Sequence, residues 1–191
     1  KCVFLDRDGV INVEVGHLSN ISQFELIPGV VDAIRALNKA GYLAVCVTNQ
    51  PVIARGDLSF AELDDIHMKM EVELGAGGAY LDGIYFCPHH PHHGFPGEIE
   101  DLKIVCSCRK PEPGMLIQAS ERYNIDLESS WMVGDHMRDI VAGKTAGVKT
   151  ILVGNLEQTS SDQQADHMCK SLSQAVDLIL SENLLYNAAI R

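Results

Sequence analysis

Short apolar runs that stop at polar residues recur along this 191-residue chain, separated by stretches with helical spacing. Val3 to Leu5 runs into Asp6-Arg7-Asp8-Gly9, and Leu43 to Val47 stops at Thr48-Asn49-Gln50. Ile84 to Phe86 leads into Cys87-Pro88-His89-His90-Pro91-His92-His93. Trp131 to Val133 meets Gly134-Asp135-His136, and Thr150 to Val153 is a fifth run. Runs of this length, bounded by turn residues, predict buried strands. Between them, Val30, Val31, Ile34 and Leu37 share a helical face that follows Pro28-Gly29 and stops at Gly41. Leu63, Ile66, Met70 and Leu74 share another behind the capping-box spacing Ser59-x-x-Glu62, with His67 and Met68 expected on the solvated side. Further helices are predicted from Pro113 through Tyr123, up to Ala146 before Gly147, and from the box Ser171-x-x-Gln174 through Val176, Ile179 and Leu180. Strands alternating with helices predict an α/β fold. The expectation is one three-layer domain over residues 1–183, a Rossmann-like parallel sheet with helices on both faces. Residues 184–191 read as a tail or the start of a linker.

Ligands of an open parallel sheet bind beyond the carboxyl ends of its strands. Four polar groupings fall at such ends or in the loops that follow: Asp6/Asp8, Thr48/Asn49, Arg109/Lys110 and Asp135/Asp139. Alone, Asp-Arg-Asp-Gly is an ordinary turn sequence. With the other three it makes a parts list for phosphoryl transfer through an acyl-phosphate. Asp6 would attack phosphorus, and Asp8 would protonate the leaving alkoxide and then deprotonate water. Close carboxylates call for a cation or a shared proton. Mg²⁺, a hard ion that takes oxygen ligands, would sit between Asp6 and Asp135. Thr48 and Lys110 would bind the phosphate oxygens.

Composition narrows the partners. A hydrophobic content of 46% supports one full core, and a net charge of −11 argues against nucleic acid or an anionic membrane surface. No apolar segment approaches a membrane span. The sequence starts at Lys1, which leaves a removed leader open. Of six cysteines, Cys2 and Cys46 lie in strand-like runs as small core residues, and Cys169 is core or incidental. Cys87, His89, Cys106 and Cys108 form a Cys₃His set of the kind that closes around structural zinc. His90, His92 and His93 compete as ligands, and free thiols or a disulfide are the alternatives. A zinc clamp would pin a long loop that lacks its own core, and would place Arg109 and Lys110 at the site.

In these residues the chain resembles the haloacid-dehalogenase (HAD) superfamily of phosphatases. The four motifs appear in order as Asp6-Arg7-Asp8-Gly9, Thr48-Asn49-Gln50, Lys110-Pro111 and Gly134-Asp135-(x)₃-Asp139, covering Val3 to Val153. The cysteine loop is similar to that of two sister groups, the heptose-1,7-bisphosphate 7-phosphatases and the histidinol-phosphate phosphatases. Glu14-Val15-Gly16-His17, Ile53-Ala54-Arg55-Gly56 and Cys87-Pro88-His89-His90-Pro91 lean toward the first. The resemblance implies a HAD-like domain with a zinc-bound loop, and the short spacers leave no room for a large cap. It implies Asp6 as nucleophile, Asp8 as proton donor, Mg²⁺ on Asp6, Asp8 and Asp135 with Asp139 behind them, and zinc on Cys87, His89, Cys106 and Cys108. Substrate contacts would come from Glu14, Val15, Gly16, His17, Thr48, Asn49, Gln50, Pro51, Arg55, Arg109, Lys110 and His136. The expected substrate is a small phosphorylated sugar, and the expected protein a cytoplasmic monomer. Pro51-Val52 replaces the usual Ser-Gly, and His136 a frequent Lys, so the exact sugar is the open point. Histidinol phosphate is the alternative substrate. A non-catalytic binding module predicts a missing acid, yet Asp6, Asp8 and Asp135 are all present.

Overall fold

The structure, a computed structural model, describes residues 1–154 and 165–189, with side chains through residue 183. Six parallel strands form one sheet: β1 (Cys2–Leu5), β2 (Leu43–Asn49), β3 (Gly83–Cys87), β4 (Trp131–Gly134), β5 (Lys149–Val153) and β6 (His167–Cys169). Six helices connect and cover them: α1 (Val30–Lys39), α2 (Pro51–Arg55), α3 (Phe60–Ala76), α4 (Gly114–Tyr123), α5 (Met137–Ala146) and α6 (Leu172–Ala189). The spatial order is β3-β2-β1-β4-β5-β6. The chain therefore builds outward from β1 on one side and resumes at β4 on the other. That reversal between β1 and β4 is where an open α/β sheet opens a crevice for ligands.

Both faces of the sheet are covered, so its strands can be apolar at every position. Val3 and Leu5 point into one core layer with α1, α3 and α6, through residues such as Ile34, Ile66 and Ile179. Cys2 and Phe4 alternate into the other, against Met115 and Leu116 of α4 and Ala142 of α5. Burying a side chain of Leu or Phe size contributes about 1.5–3 kcal/mol. The two layers therefore supply the rigidity on which the sheet edge depends. No helix among the described residues is long and apolar enough to cross a membrane.

Two sequence expectations are corrected, and one helix runs past the bound drawn for the domain. His67 is buried, not solvated, while Met68 is 60% exposed as its position suggests. His67 stands four residues after Leu63 and three before Met70, which places it on α3's inner stripe. β6 escaped detection because it is a three-residue edge strand, His167-Met168-Cys169, with no apolar run. The α6 backbone stays helical to Ala189, past residue 183 where the sequence reading closed the domain.

Candidate active site

β1 delivers the chain directly to the crevice. The Asp6 N–H donates to Val133 O at 3.0 Å, so the ladder between β1 and β4 runs one residue beyond Leu5. The chain then curls, with Arg7 O accepting from the N–H groups of Ile11 at 2.8 Å and Asn12 at 3.0 Å. Gly9 takes φ +76°, a conformation that favours glycine. A β-carbon there would lie 2.1 Å from Asp135 Oδ2. The bare glycine thus lets the carboxylate after β4 sit directly against the turn after β1. The two strand ends meet as the motif spacing requires.

Beneath the turn lies a buried ionic triad. Lys110 Nζ is 2.9 Å from Asp6 Oδ1 and 2.7 Å from Asp139 Oδ1, and it donates to Val47 O at 2.7 Å. Asp139 Oδ2 in turn accepts from the His136 N–H at the start of α5, at 3.0 Å. The Arg7 N–H supplies a second donor to Asp6 Oδ1 at 2.7 Å. Both protein contacts of Asp6 therefore fall on one oxygen, and Oδ2 has no donor among the described residues. Burial pushes the Asp6 carboxyl up to about 7, against the pull of the Lys110 ammonium. Asn49 fixes Lys110 from the backbone: its Nδ2 donates to Lys110 O and its Oδ1 accepts from the Lys110 N–H, both at 3.0 Å.

Asp8 is held differently. Its Oδ1 accepts from Arg7 Nη2 at 3.0 Å and Asn12 Nδ2 at 3.0 Å, and its Oδ2 from Arg7 Nη2 at 3.1 Å and Gln50 Nε2 at 2.9 Å. Burial acts to raise its pKa, but the Arg7 charge with the Asn12 and Gln50 hydrogen bonds holds it below the usual carboxylate range. Neither Asp8 oxygen is left without a donor, so Asp6 and Asp135 are the carboxylates better placed to offer oxygens to a metal. That pair of hard oxygen donors, one of them buried with an oxygen that has no donor among the described residues, fits Mg²⁺.

A cavity of ≈ 160 Å³ opens over these groups, lined by Asp6, Asp8, Glu14, Gly16, His17, Leu18, Asn49, Gln50, Pro51, Val52, Arg55, Arg109 and Arg138. Most of the residues expected to touch substrate line it. Val15 is 42% exposed and does not. Thr48 is buried with its Oγ1 accepting from Gln50 Nε2 at 2.8 Å, and Lys110 and Asp139 lie behind Asp6 rather than on the wall. His136 turns to Asp135, Nδ1 to Oδ1 at 2.7 Å, which raises its pKa. A larger hollow of ≈ 470 Å³ lies elsewhere, around Lys1, Tyr42 and Trp131 at the amino ends of the strands, away from these carboxylates.

Two arginines of the site went unread in the sequence. Arg7 sits between the two motif aspartates and is completely buried. Arg138 lines the cavity from the first turn of α5, and its buried Nε has no hydrogen-bond partner. Its signal was a lone cation inside the Asp135–Asp139 motif. Arg55 reaches His17 Nε2 at 2.7 Å and lies 4.7 Å from the Phe95 ring centroid. Arg109 Nη1 donates to His89 O at 3.1 Å, tying it to the cysteine loop. Burial, with Arg138 and Arg55 nearby, lowers the Arg109 pKa.

In that loop Cys87, His89, Cys106 and Cys108 each bring one ligand atom within 4.8 Å of the others. Cys108 Sγ lies 3.1 Å from Cys87 Sγ and 3.3 Å from Cys106 Sγ, and His89 Nδ1 lies 3.3 Å from Cys108 Sγ. All three cysteines are free, and the donor chemistry fits zinc. His90 and His93 have other neighbours: His90 meets Arg55, and His93 meets Glu98.

Comparison with known proteins agrees with this geometry. A family model described as HAD-hydrolase-like matches residues 107–175. The D-glycero-beta-D-manno-heptose-1,7-bisphosphate 7-phosphatase of Salmonella typhi is 44% identical over 174 residues, 90% of each chain. The enzyme of the same name from Pasteurella multocida is 42% identical over 94% of this chain and 96% of its own. Among solved structures, the D,D-heptose 1,7-bisphosphate phosphatase of B. bronchiseptica, complexed with magnesium and phosphate, superposes with a TM-score of 0.83. It is 35% identical and covers 95% of this chain and 99% of that one.

Proposed function

This chain belongs to the HAD-like hydrolases, in the family of heptose-1,7-bisphosphate 7-phosphatases, and from that premise we propose its substrate and the residue that performs each step. It hydrolyses a sugar phosphate monoester through an aspartyl-phosphate on Asp6. The observation that carries this reading is the one-sided engagement of Asp6, with Oδ1 held by Lys110 and Arg7 and Oδ2 uncommitted on the cavity wall. Asp6 Oδ2 forms a bond to phosphorus as the ester oxygen leaves. That oxygen takes a proton from Asp8, whose side chain keeps 21% of its surface exposed and which gains that proton when the negative charge of the bound phosphate raises its pKa. Asp8 then removes a proton from water, which attacks phosphorus and frees Asp6. Mg²⁺ on Asp6 and Asp135 would supply positive charge for the phosphoryl oxygens. Lys110 keeps Asp6 oriented and its buried charge compensated.

The far part of the cavity selects the substrate. Arg55, Arg109 and Arg138 line it, and three neighbouring guanidinium groups call for an anion beyond the one at Asp6. A heptose carrying phosphates at both ends meets that demand, with the 7-phosphate over Asp6. Histidinol phosphate would bring an ammonium group to the same arginines, with Glu14 as its counter-charge on the wall. Zinc on Cys87, His89, Cys106 and Cys108 is structural, and the free thiols suit a reducing cytoplasm.

The test is turnover of both substrates side by side, with Mg²⁺. The bisphosphate should be preferred by at least about 100-fold, the scale of losing one buried charge-assisted contact. A preference for histidinol phosphate would overturn the substrate. Asp6→Asn should abolish turnover while the fold survives, and undiminished activity there would overturn the mechanism.

A further inference from the structure

Arg7 is the one fully buried guanidinium among the described residues, and the roles proposed so far leave its side chain without a task. Burying a cation is costly unless it is paired and hydrogen-bonded. Every partner of the Arg7 guanidinium among the described residues belongs to the proton-handling side of the site. Nη2 donates to both Asp8 oxygens and to Gln50 Oε1 at 3.0 Å, and Nε lies 3.3 Å from Asp8 Oδ1. Nη1 lies 3.4 Å from His67 Nε2. His67 is itself buried in α3, with its ring 5.7 Å from the Phe86 ring. Gln50 closes the circuit by donating from Nε2 to Asp8 Oδ2 and Thr48 Oγ1. Meanwhile Asp6, two residues before Asp8, is fixed by a different cation, Lys110.

We propose that Arg7 is a positioning residue for Asp8: held from behind by His67 of α3 and by Gln50, its guanidinium fixes the Asp8 carboxyl toward the leaving-group oxygen. The fork geometry of Arg sets both the direction and the rotation of a carboxylate, which a lysine ammonium cannot do. The ring of His67 supplies the acceptor that Nη1 needs; burial, and then the Arg7 charge, lower its pKa to about 4, which keeps that ring neutral. The division of labour is complete: one cation serves the nucleophile and another the proton carrier. This inference rests on Asp8 being the proton carrier of the proposed reaction.

Leaving-group chemistry separates positioning from a merely structural role. A sugar alkoxide needs a proton as it departs, whereas p-nitrophenolate leaves without one. Single-turnover release of the leaving group is the readout, because the later attack by water uses Asp8 with either ester. On it, Asp8→Asn should slow release from a sugar phosphate by about 100-fold or more, the usual worth of general acid catalysis, and release of p-nitrophenolate far less. Arg7→Met should reproduce that selective loss, and Arg7→Lys should restore part of it. Because Arg7→Met removes a buried charge and can unfold the chain, His67→Phe is measured alongside. It should slow release from the sugar phosphate selectively by about 10-fold, and His67→Gln, which keeps an acceptor for Nη1, should recover it. If Asp8→Asn is selective but folded Arg7 and His67 variants lose both activities equally, or neither, the positioning role is overturned and the reaction stands. If Asp8→Asn shows no selectivity, the proton-carrier role fails and this inference with it.

Discussion

The turn after β1 and the loop between β3 and α4 bring charged groups to the same edge of the sheet by opposite physical means. Asp6, Arg7, Lys110 and Asp139 are all almost completely buried; Lys110 answers Asp6 and Asp139 across the strand ends, and Arg7 answers Asp8 within the turn. The apolar layers beneath exclude water, so these pairs set direction as well as charge. The loop over residues 88–109 has little apolar material to bury: Ile99, Ile104 and Val105 are exposed at 39%, 45% and 87%. Its order comes from the three thiols and one imidazole at its ends, and from Arg55 and Lys103 stacked on Phe95. On the proposed reading, the chemical step stands on a core, and substrate selection would stand on a clamp. The two should fail separately.

The largest effect should come from stripping the clamp. Structural zinc bound by such sets contributes about 10–16 kcal/mol of apparent binding energy at neutral pH, and for a loop without a core that energy is its order. Treatment with a strong chelator should release one zinc and raise amide hydrogen exchange across residues 88–109, while β1 and β4 stay protected. Sugar phosphate turnover should fall at least 10-fold as Arg109 loses its place. A protein that contains no zinc, or a loop indifferent to its removal, would erase the contrast.

Next is the core side. Lys110→Met keeps the bulk of the side chain but strands Asp6 and Asp139 as buried, unpaired carboxylates. Breaking one partner of such a set costs about 3–5 kcal/mol, read as a lower urea midpoint with turnover lost. The loop metal should remain bound. An unchanged midpoint would mean that the pairing contributes nothing to the fold.

How much of this arrangement was legible from sequence divides along the same line. Strands β1 to β5 declared themselves because burial on both faces makes them apolar throughout, and a polar residue then marks where each ends. Asp6, Asp8 and Asp135 were readable for that reason. The Cys₃His set was readable because few other structures need those donors at that spacing. The hidden part is the fate of the basic residues. Lys110 read as a ligand of the phosphate and Arg7 was given no role, because burial of a cation is decided by partners that only the fold brings close. His67 was placed off the apolar face of its helix, although it stands four residues after Leu63 and three before Met70; its acceptor role toward Arg7 is visible only in three dimensions.

His67 also gives the core side a pH signature. Burial, and then the Arg7 charge, lower its pKa to about 4 from an ordinary 6.5. Between those values the unfolded chain binds a proton that the folded chain refuses, so stability rises with pH across this window. It is fully present above about 6.5 and falls by roughly 3 kcal/mol as the pH drops to about 4. Asp6, raised to about 7, acts with the opposite sign over the same window, so the readout is the difference between wild type and His67→Phe in urea unfolding at pH 7 and pH 4.5. A difference that stays constant over the window would place His67 in solvent.

The smallest change puts one methyl group on each side of the comparison. Gly56 caps α2 at φ +80°, and a β-carbon there would lie 2.0 Å from Gly97 O in the loop. Alanine in that conformation costs about 1–2 kcal/mol. The loop is tethered at its ends and can shift away, so Gly56→Ala should raise KM a few-fold through its neighbour Arg55 and leave kcat nearly unchanged. Gly9→Ala carries the same backbone strain, but its clash is with Asp135 Oδ2 between two strand ends that the core holds in place. There kcat should fall, by about 10-fold or more, because the misplaced groups are those that touch phosphorus. Steady-state kinetics of the two variants with one sugar phosphate decide it. If Gly56→Ala lowers kcat as much as Gly9→Ala does, then loop and turn move as one body, and selection and chemistry share a single support.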